Sequence, residues 1–127
     1  IHKVNFYVGL FEADPKTAQQ AATSLCNPLC YAPTGSHAGV LPNSGSLLSL
    51  ESKGTVITSV AGCEGGLHIR LCNLSGEPDT AAIDFGVDVS AEEVDLECQK
   101  VADAKVGGGK VTVELAPYQI KGIKVTL

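Results

Sequence analysis

Between positions 67 and 85 hydrophobic and polar residues alternate almost one for one. Leu67, Ile69 and Leu71 point one way while His68 and Arg70 point the other, and Ala81, Ile83 and Phe85 repeat the pattern with Thr80 and Asp84 outside. Between the two runs, Asn73-Leu74-Ser75-Gly76-Glu77-Pro78 reverses the chain. Period-two runs flanking an Asn/Ser/Gly/Pro cluster predict a β-hairpin with one wet and one dry face. The same alternation predicts a strand over residues 2 to 11, with Val4, Phe6, Val8 and Leu10 buried against Lys3, Asn5 and Tyr7. Further strands are expected around Leu48 and Leu50 and from Thr55 to Val60, with Gly62 to Gly66 turning into the hairpin.

Downstream, Gly86 to Ala91 is expected to cross over, and Val94, Leu96 and Cys98 then alternate with Asp95, Glu97 and Gln99. Gly107-Gly108-Gly109 reads as a turn before the strand of Val111, Val113 and Leu115. Three glycines between two strands are the wrong context for a phosphate loop, which needs a strand before and a helix after. In the last strand, Gln119 to Leu127, the apolar parity slips: Ile120 is even, whereas Ile123, Val125 and Leu127 are odd. A bulge near Gly122 would bring all four to the core side.

One segment follows a helical period instead. Asp14 is placed to cap, Pro15 suits the first helical position, and Ala18, Ala21, Ala22 and Leu25 share a face before Asn27-Pro28 ends the run. Its Ala-rich stripe is expected to pack on the sheet or cap an end of it. Residues 28 to 46, rich in Pro, Gly and Ser, show neither period, and a loop of that length is expected to rest on another domain. The fold expected is mainly β: an antiparallel β-sandwich of about eight strands with one short helix near the N-terminus, spanning 1–127 as a single domain.

Composition narrows the function. The 127 residues are 44% hydrophobic and 18% charged, a globular balance. A net charge of -5 with scattered basic residues argues against nucleic acid, which demands a clustered Lys/Arg face. No apolar run is long enough for a bilayer-spanning helix, and no membrane partner is expected. The chain starts with Ile1 in a predicted strand and has no Met, so it is expected to be a fragment of something longer. Five cysteines at irregular spacing read as reduced thiols packed like small hydrophobes in a cytoplasmic protein. Cys26 and Cys30 lack the second half of a zinc motif. Asn73-Leu74-Ser75 matches a glycosylation sequon, a pattern common by chance.

Catalytic constellations are weak. His2, His37 and His68 are far apart in sequence, and His68 falls on the wet face of a strand. Glu92-Glu93 and Asp95/Glu97 read as a solvated strand edge rather than two carboxylates facing across a cleft. Arg70, the only arginine, stands mid-strand opposite the dry face, where it either stays at the surface or pairs with a carboxylate.

Taken in order, several of these segments resemble the C-terminal β-sandwich region of the α-mannosidases of glycoside hydrolase family 38. The resemblance runs through the strand Phe6-Tyr7-x-x-Leu10 leading into a helix, Asn27-Pro28-Leu29, Leu41-Pro42, and Ser46-Leu47-Leu48 before Val56 to Val60. It is strongest in Leu67-x-Ile69-Arg70-Leu71-x-Asn73 with Gly76-Glu77-Pro78, and in Leu115-x-Pro117-x-x-Ile120-x-x-Ile123-x-Val125. Phe11-Glu12 stand where members have Pro-His, and Gln119 and Gly122 where they often have Glu and Thr.

The resemblance implies a non-catalytic lobe that buttresses the catalytic domain of the same chain. That absent domain would hold a divalent metal, usually zinc, and an aspartate nucleophile for retaining hydrolysis of α-mannosides. No catalytic, metal or cofactor site is then expected in these residues, and Arg70 and Glu64 are the candidate domain contacts. A carbohydrate-binding module is the alternative, though sugar sites stack rings on exposed aromatics and only Tyr7, Tyr31 and Tyr118 offer themselves. A cell-surface immunoglobulin-like module fits the odd cysteine count poorly.

Overall fold

Ile69 and Leu71 are fully buried, and so are Ala81 and Ile83, so the alternation between 67 and 85 reports a dry face correctly. The computed structural model describes residues 4, 6–10, 14–27, 29–36, 38–40, 42 and 44–127. They fall into two compact units, 1–33 and 34–127.

In the first unit, α1 spans Pro15–Cys26. Asp14 caps it by accepting from the amides of Lys16 (3.2 Å) and Thr17 (3.1 Å), which satisfies donors that the first turn leaves free. At the other end the Asn27 amide donates to the Thr23 carbonyl at 2.9 Å. The strand expected over 2 to 11 is not formed at residues 4 and 6–10, and its remaining positions lie outside the described residues. Phe6, Val8 and Leu10, assigned to a buried face, are almost wholly exposed. A lone extended segment has no ladder to satisfy its backbone. Here Phe6 to Gly9 instead line a shallow apolar groove with Ala18, Ala22 and Leu25 of the helix.

The described residues of the second unit form nine strands. In chain order they are β1 (Ser49–Glu51), β2 (Thr55–Cys63), β3 (Gly66–Asn73), β4 (Asp79–Asp84), β5 (Ser90–Val94), β6 (Lys100–Asp103), β7 (Lys105–Gly107), β8 (Lys110–Leu115) and β9 (Ile120–Thr126). They form a four-stranded sheet, β1-β4-β8-β7, and a five-stranded sheet, β2-β3-β9-β5-β6, every pair antiparallel. Ile69, Leu71, Ile123 and Val125 of one sheet share the core with Ala81, Ile83, Val111, Val113 and Leu115 of the other, the arrangement of a β-sandwich. Each such large aliphatic side chain contributes roughly 1.5–3 kcal/mol by leaving water.

Three expectations are corrected. First, β3 and β4 do not form a hairpin: β3 pairs with β2 and β9, and β4 with β1 and β8, so Asn73 to Pro78 carries the chain from one sheet to the other. Alternation specifies that one face is dry, which two strands facing across a sandwich satisfy as well as two neighbours. The hairpin is β2–β3, closed by Glu64-Gly65 with Gly65 at φ +78°. Second, the strand expected over 94 to 99 is mostly a turn. The Asp95 carboxylate accepts from the amides of Glu97 and Gln99, both at 2.9 Å, and Cys98 takes φ +63°. The strand lies earlier, at Ser90–Val94, and its first two residues fall in the stretch Gly86 to Ala91 expected to cross over.

Third, β9 has no bulge. Its registers with β3 and β5 run unbroken, and Ile120 and Leu127 are exposed while Ile123 and Val125 are buried. Gly122 has another use: a Cβ there would stand 2.9 Å from His68 Nε2 and 3.0 Å from the Val94 carbonyl oxygen. The sheet's irregularities lie elsewhere, in β2 between Ile57 and Ser59 and in β5 between Glu93 and Val94 where it pairs with β6.

Candidate domain-contact face

Residues paired across neighbouring strands share a face of the sheet. Ser59, Arg70, Gly122 and Val94 therefore lie in one row on the side away from the core, and Ala61, His68, Lys124 and Glu92 in the next. This face is not evenly solvated. Val94 is 5% exposed and His68 7%, which corrects the placement of His68 on a wet surface: its imidazole lies over Gly122 beside Val94, where a side chain on Gly122 would exclude it.

Arg70 is half-buried in that row. Its Nε and the Nε2 of His68 are buried without a hydrogen-bond partner among the described residues. Among the described residues the ion pairs fall to Lys100, Lys105, Lys110 and Lys121, and none includes Arg70. A buried donor left unpaired costs about 1–3 kcal/mol, so this face carries an unmet demand for acceptors. Glu64 is exposed in the β2–β3 turn. Four residues of extended strand separate Arg70 from Gly66, roughly 13 Å, so the two candidate contacts occupy the middle and the tip of one hairpin.

Three carboxylates near this sheet are engaged. Glu92 pairs with Lys100 at 2.9 Å, Glu93 with a half-buried Lys121 at 2.9 Å, and Asp95 holds its turn. Hydrogen bonds that the Lys100 ammonium donates to Asp103 and Glu92 hold it well above its ordinary range. No group of three or more His, Cys, Asp and Glu side chains that could hold a metal occurs among the described residues. The cysteines are free thiols, yet none is packed as a core residue: Cys26, Cys30 and Cys98 are exposed and Cys63 and Cys72 half-buried. Cys98 is outward because it sits in the Asp95 turn.

One feature escaped the sequence reading. At one end of the sandwich Asn73, fully buried, donates from Nδ2 to the carbonyls of Glu77 (2.8 Å) and Ala116 (3.1 Å). Its Oδ1 accepts from the amide (2.9 Å) and hydroxyl (2.8 Å) of Ser75. Asp79 Oδ2 accepts from the amides of Gly54 and Thr55, both at 2.9 Å, and from the Thr55 hydroxyl at 2.8 Å. Three loops are thereby tied together: 52–55, 73–79 and 116–119. The signal was available in the parity, because Asn73 extends the dry series of Leu67, Ile69 and Leu71, and Asp79 opens that of Ala81 and Ile83. A polar residue on a dry face has to find partners inside. The same burial denies an oligosaccharide access to the Asn73 amide, so the sequon is structural.

Comparison with known proteins bears on the fold directly. The family model described as "Glycosyl hydrolases family 38 C-terminal beta sandwich domain" matches residues 55–123, more than half of the chain, from the start of β2 into β9. No curated protein and no solved structure matches the chain significantly.

Proposed function

Because the chain belongs to the family of C-terminal β-sandwich domains of glycosyl hydrolases family 38, we propose that it is the non-catalytic structural lobe of a cytoplasmic α-mannosidase. In this role it buttresses the catalytic domain of the same polypeptide. The family match over β2 to β9 carries the proposal. Hydrolysis of α-mannosides, and the divalent metal expected to be zinc, belong to the catalytic domain. Arg70 and Glu64 are the contacts assigned to this lobe. Arg70 is suited to the task because it is half-buried and has no carboxylate partner among the described residues, and a planar fork of donors recognises a carboxylate bidentately.

The experiment mixes this chain with the separately prepared catalytic domain and follows association by calorimetry, with α-mannosidase activity and mannose binding measured on the chain alone. The expected result is association, no hydrolysis by the chain and no binding of mannose. Arg70→Ala should weaken association by about tenfold or more, the usual loss when one member of a desolvated charge pair is truncated. Hydrolysis by the chain alone, or failure to associate, would overturn the proposal. Mannose binding without association would support the carbohydrate-binding alternative instead.

A further inference from the structure

The sheet edges of the sandwich are not treated alike. In the four-stranded sheet the edges β1 and β7 have three residues each. In the five-stranded sheet the edge β6 has four and carries Lys100 and Asp103. Short length and charge are the usual means of stopping an edge from accepting another strand. The remaining edge, β2, has neither: it is nine residues long, the longest strand described, and its sequence TVITSVAGC contains no charge and no proline. Its second half, Ser59 to Gly62, is exposed, including Val60 at 50%.

We propose that β2 is a pairing edge through which two copies of the chain join their five-stranded sheets, antiparallel, about a twofold axis at Ala61. The ladder geometry sets that axis. Counted back from the two-residue turn, Cys63 and Gly66 exchange hydrogen bonds, so do Ala61 and His68, and the backbone N–H and C=O of Val60 and Gly62 face away from β3. Two such edges related by a dyad place Val60 of each copy opposite Gly62 of the other, giving four reciprocal backbone hydrogen bonds with Ala61 facing Ala61. Val60 then lies over a position with open space, since nothing among the described residues stands within 4 Å of a Cβ added to Gly62. The occupant is a second copy because the strand is self-complementary. Its uncharged sequence brings no like charges together under twofold pairing, and the residues at the axis are the smallest in the strand. The bulge between Ile57 and Ser59 confines the pairing to the second half, so the dimer is small in area and dependent on concentration.

The test is the molar mass of the full chain by sedimentation equilibrium over a wide concentration range. The wild type should rise from its 13.1 kDa monomer toward twice that mass. Ala61→Lys and Ala61→Glu should each stay monomeric, because each places like charges face to face on the axis, and an equimolar mixture of the two should dimerise. Circular dichroism checks that the variants fold, and Gly62→Lys, at a position with room for a side chain, serves as a second monomerising variant if either Ala61 variant does not. A wild type that stays monomeric throughout, a dimer unaffected by these substitutions, or a mixture of folded Ala61 variants that does not pair would overturn the proposal.

Discussion

Asp79→Ala is expected to cost the sandwich about 3–5 kcal/mol at neutral pH, the range for breaking a buried charged network that leaves its partners unpaired. Asp79 is 8% exposed and accepts at both oxygens: Oδ2 from Gly54, Thr55 and the Thr55 hydroxyl, Oδ1 from the amides of Lys53 (3.3 Å) and Thr80 (2.9 Å). Alanine orphans these donors where the loop after β1 meets the start of β4. Asp79→Asn should recover little, because an amide has one acceptor oxygen and its NH2 must then face N–H donors.

The pH dependence follows from the same contacts. Burial disfavours the ionised carboxyl, but the bonds from Gly54, Thr55 and Lys53 outweigh it and hold the group below its ordinary value of 3.8. A depressed carboxyl contributes fully above the ordinary value and loses that contribution as pH falls through it to the folded one. Urea denaturation should therefore show a gap between wild type and Asp79→Ala that is constant from about pH 7 to 5 and narrows toward about pH 3. A neutral-pH gap under about 1 kcal/mol, or one unchanged in acid, would show that Asp79 is not the tie that the hydrogen bonds describe.

How far the sequence could be read is clearest at particular residues. The dry series of β3, β4 and β8 was legible because alternation is a direct imprint of one-sided burial. Which strand lies beside which was not, since the pattern of β3 is the same whether it pairs with β4 or faces it across the core. The run Val94 to Gln99 alternates like a strand, yet Asp95 captures two backbone amides and turns it. Parity alone places His68 in solvent, but parity assigns a side and not a degree of cover. Beside a glycine on the next strand, that side offers a hollow which the imidazole fills. Arg70 was legible as an oddity, a lone arginine in mid-strand, whereas its orphaned Nε depends on surroundings that no local pattern encodes. Asn73 and Asp79 are legible in principle from their dry parity, but residues of this type beside a turn signal the turn more strongly than the core they close.

Gly66→Ala should be among the most damaging single substitutions in the chain, while Gly62→Ala, four residues away on the same hairpin, should be harmless. A Cβ on Gly66 would run into the Val125 carbonyl oxygen and stand 2.9 Å from its carbon, both backbone atoms of β9. No rotamer change can relieve a clash between Cβ and main chain, so β3 and β9 must separate. The next pairs along, Leu67 with Val125 and Ile69 with Ile123, include the centre of the core. The cost should reach about 3 kcal/mol or more, at the upper end for overpacking, and lower Tm by about 12–20 °C for a unit of this size. Gly62 has an ordinary strand φ and, among the described residues, no atom within 4 Å of an added Cβ. Alanine there restricts the unfolded chain without straining the folded one, and should leave stability unchanged or raise it by up to about 1 kcal/mol. Thermal unfolding of the two variants beside wild type decides the matter: similar melting temperatures would mean that β9 does not approach Gly66 closely. A large loss confined to Gly66→Ala would establish that the close approach of β9 holds this end of the β2–β3 hairpin in register, and with it the placement of Arg70 on the outer face.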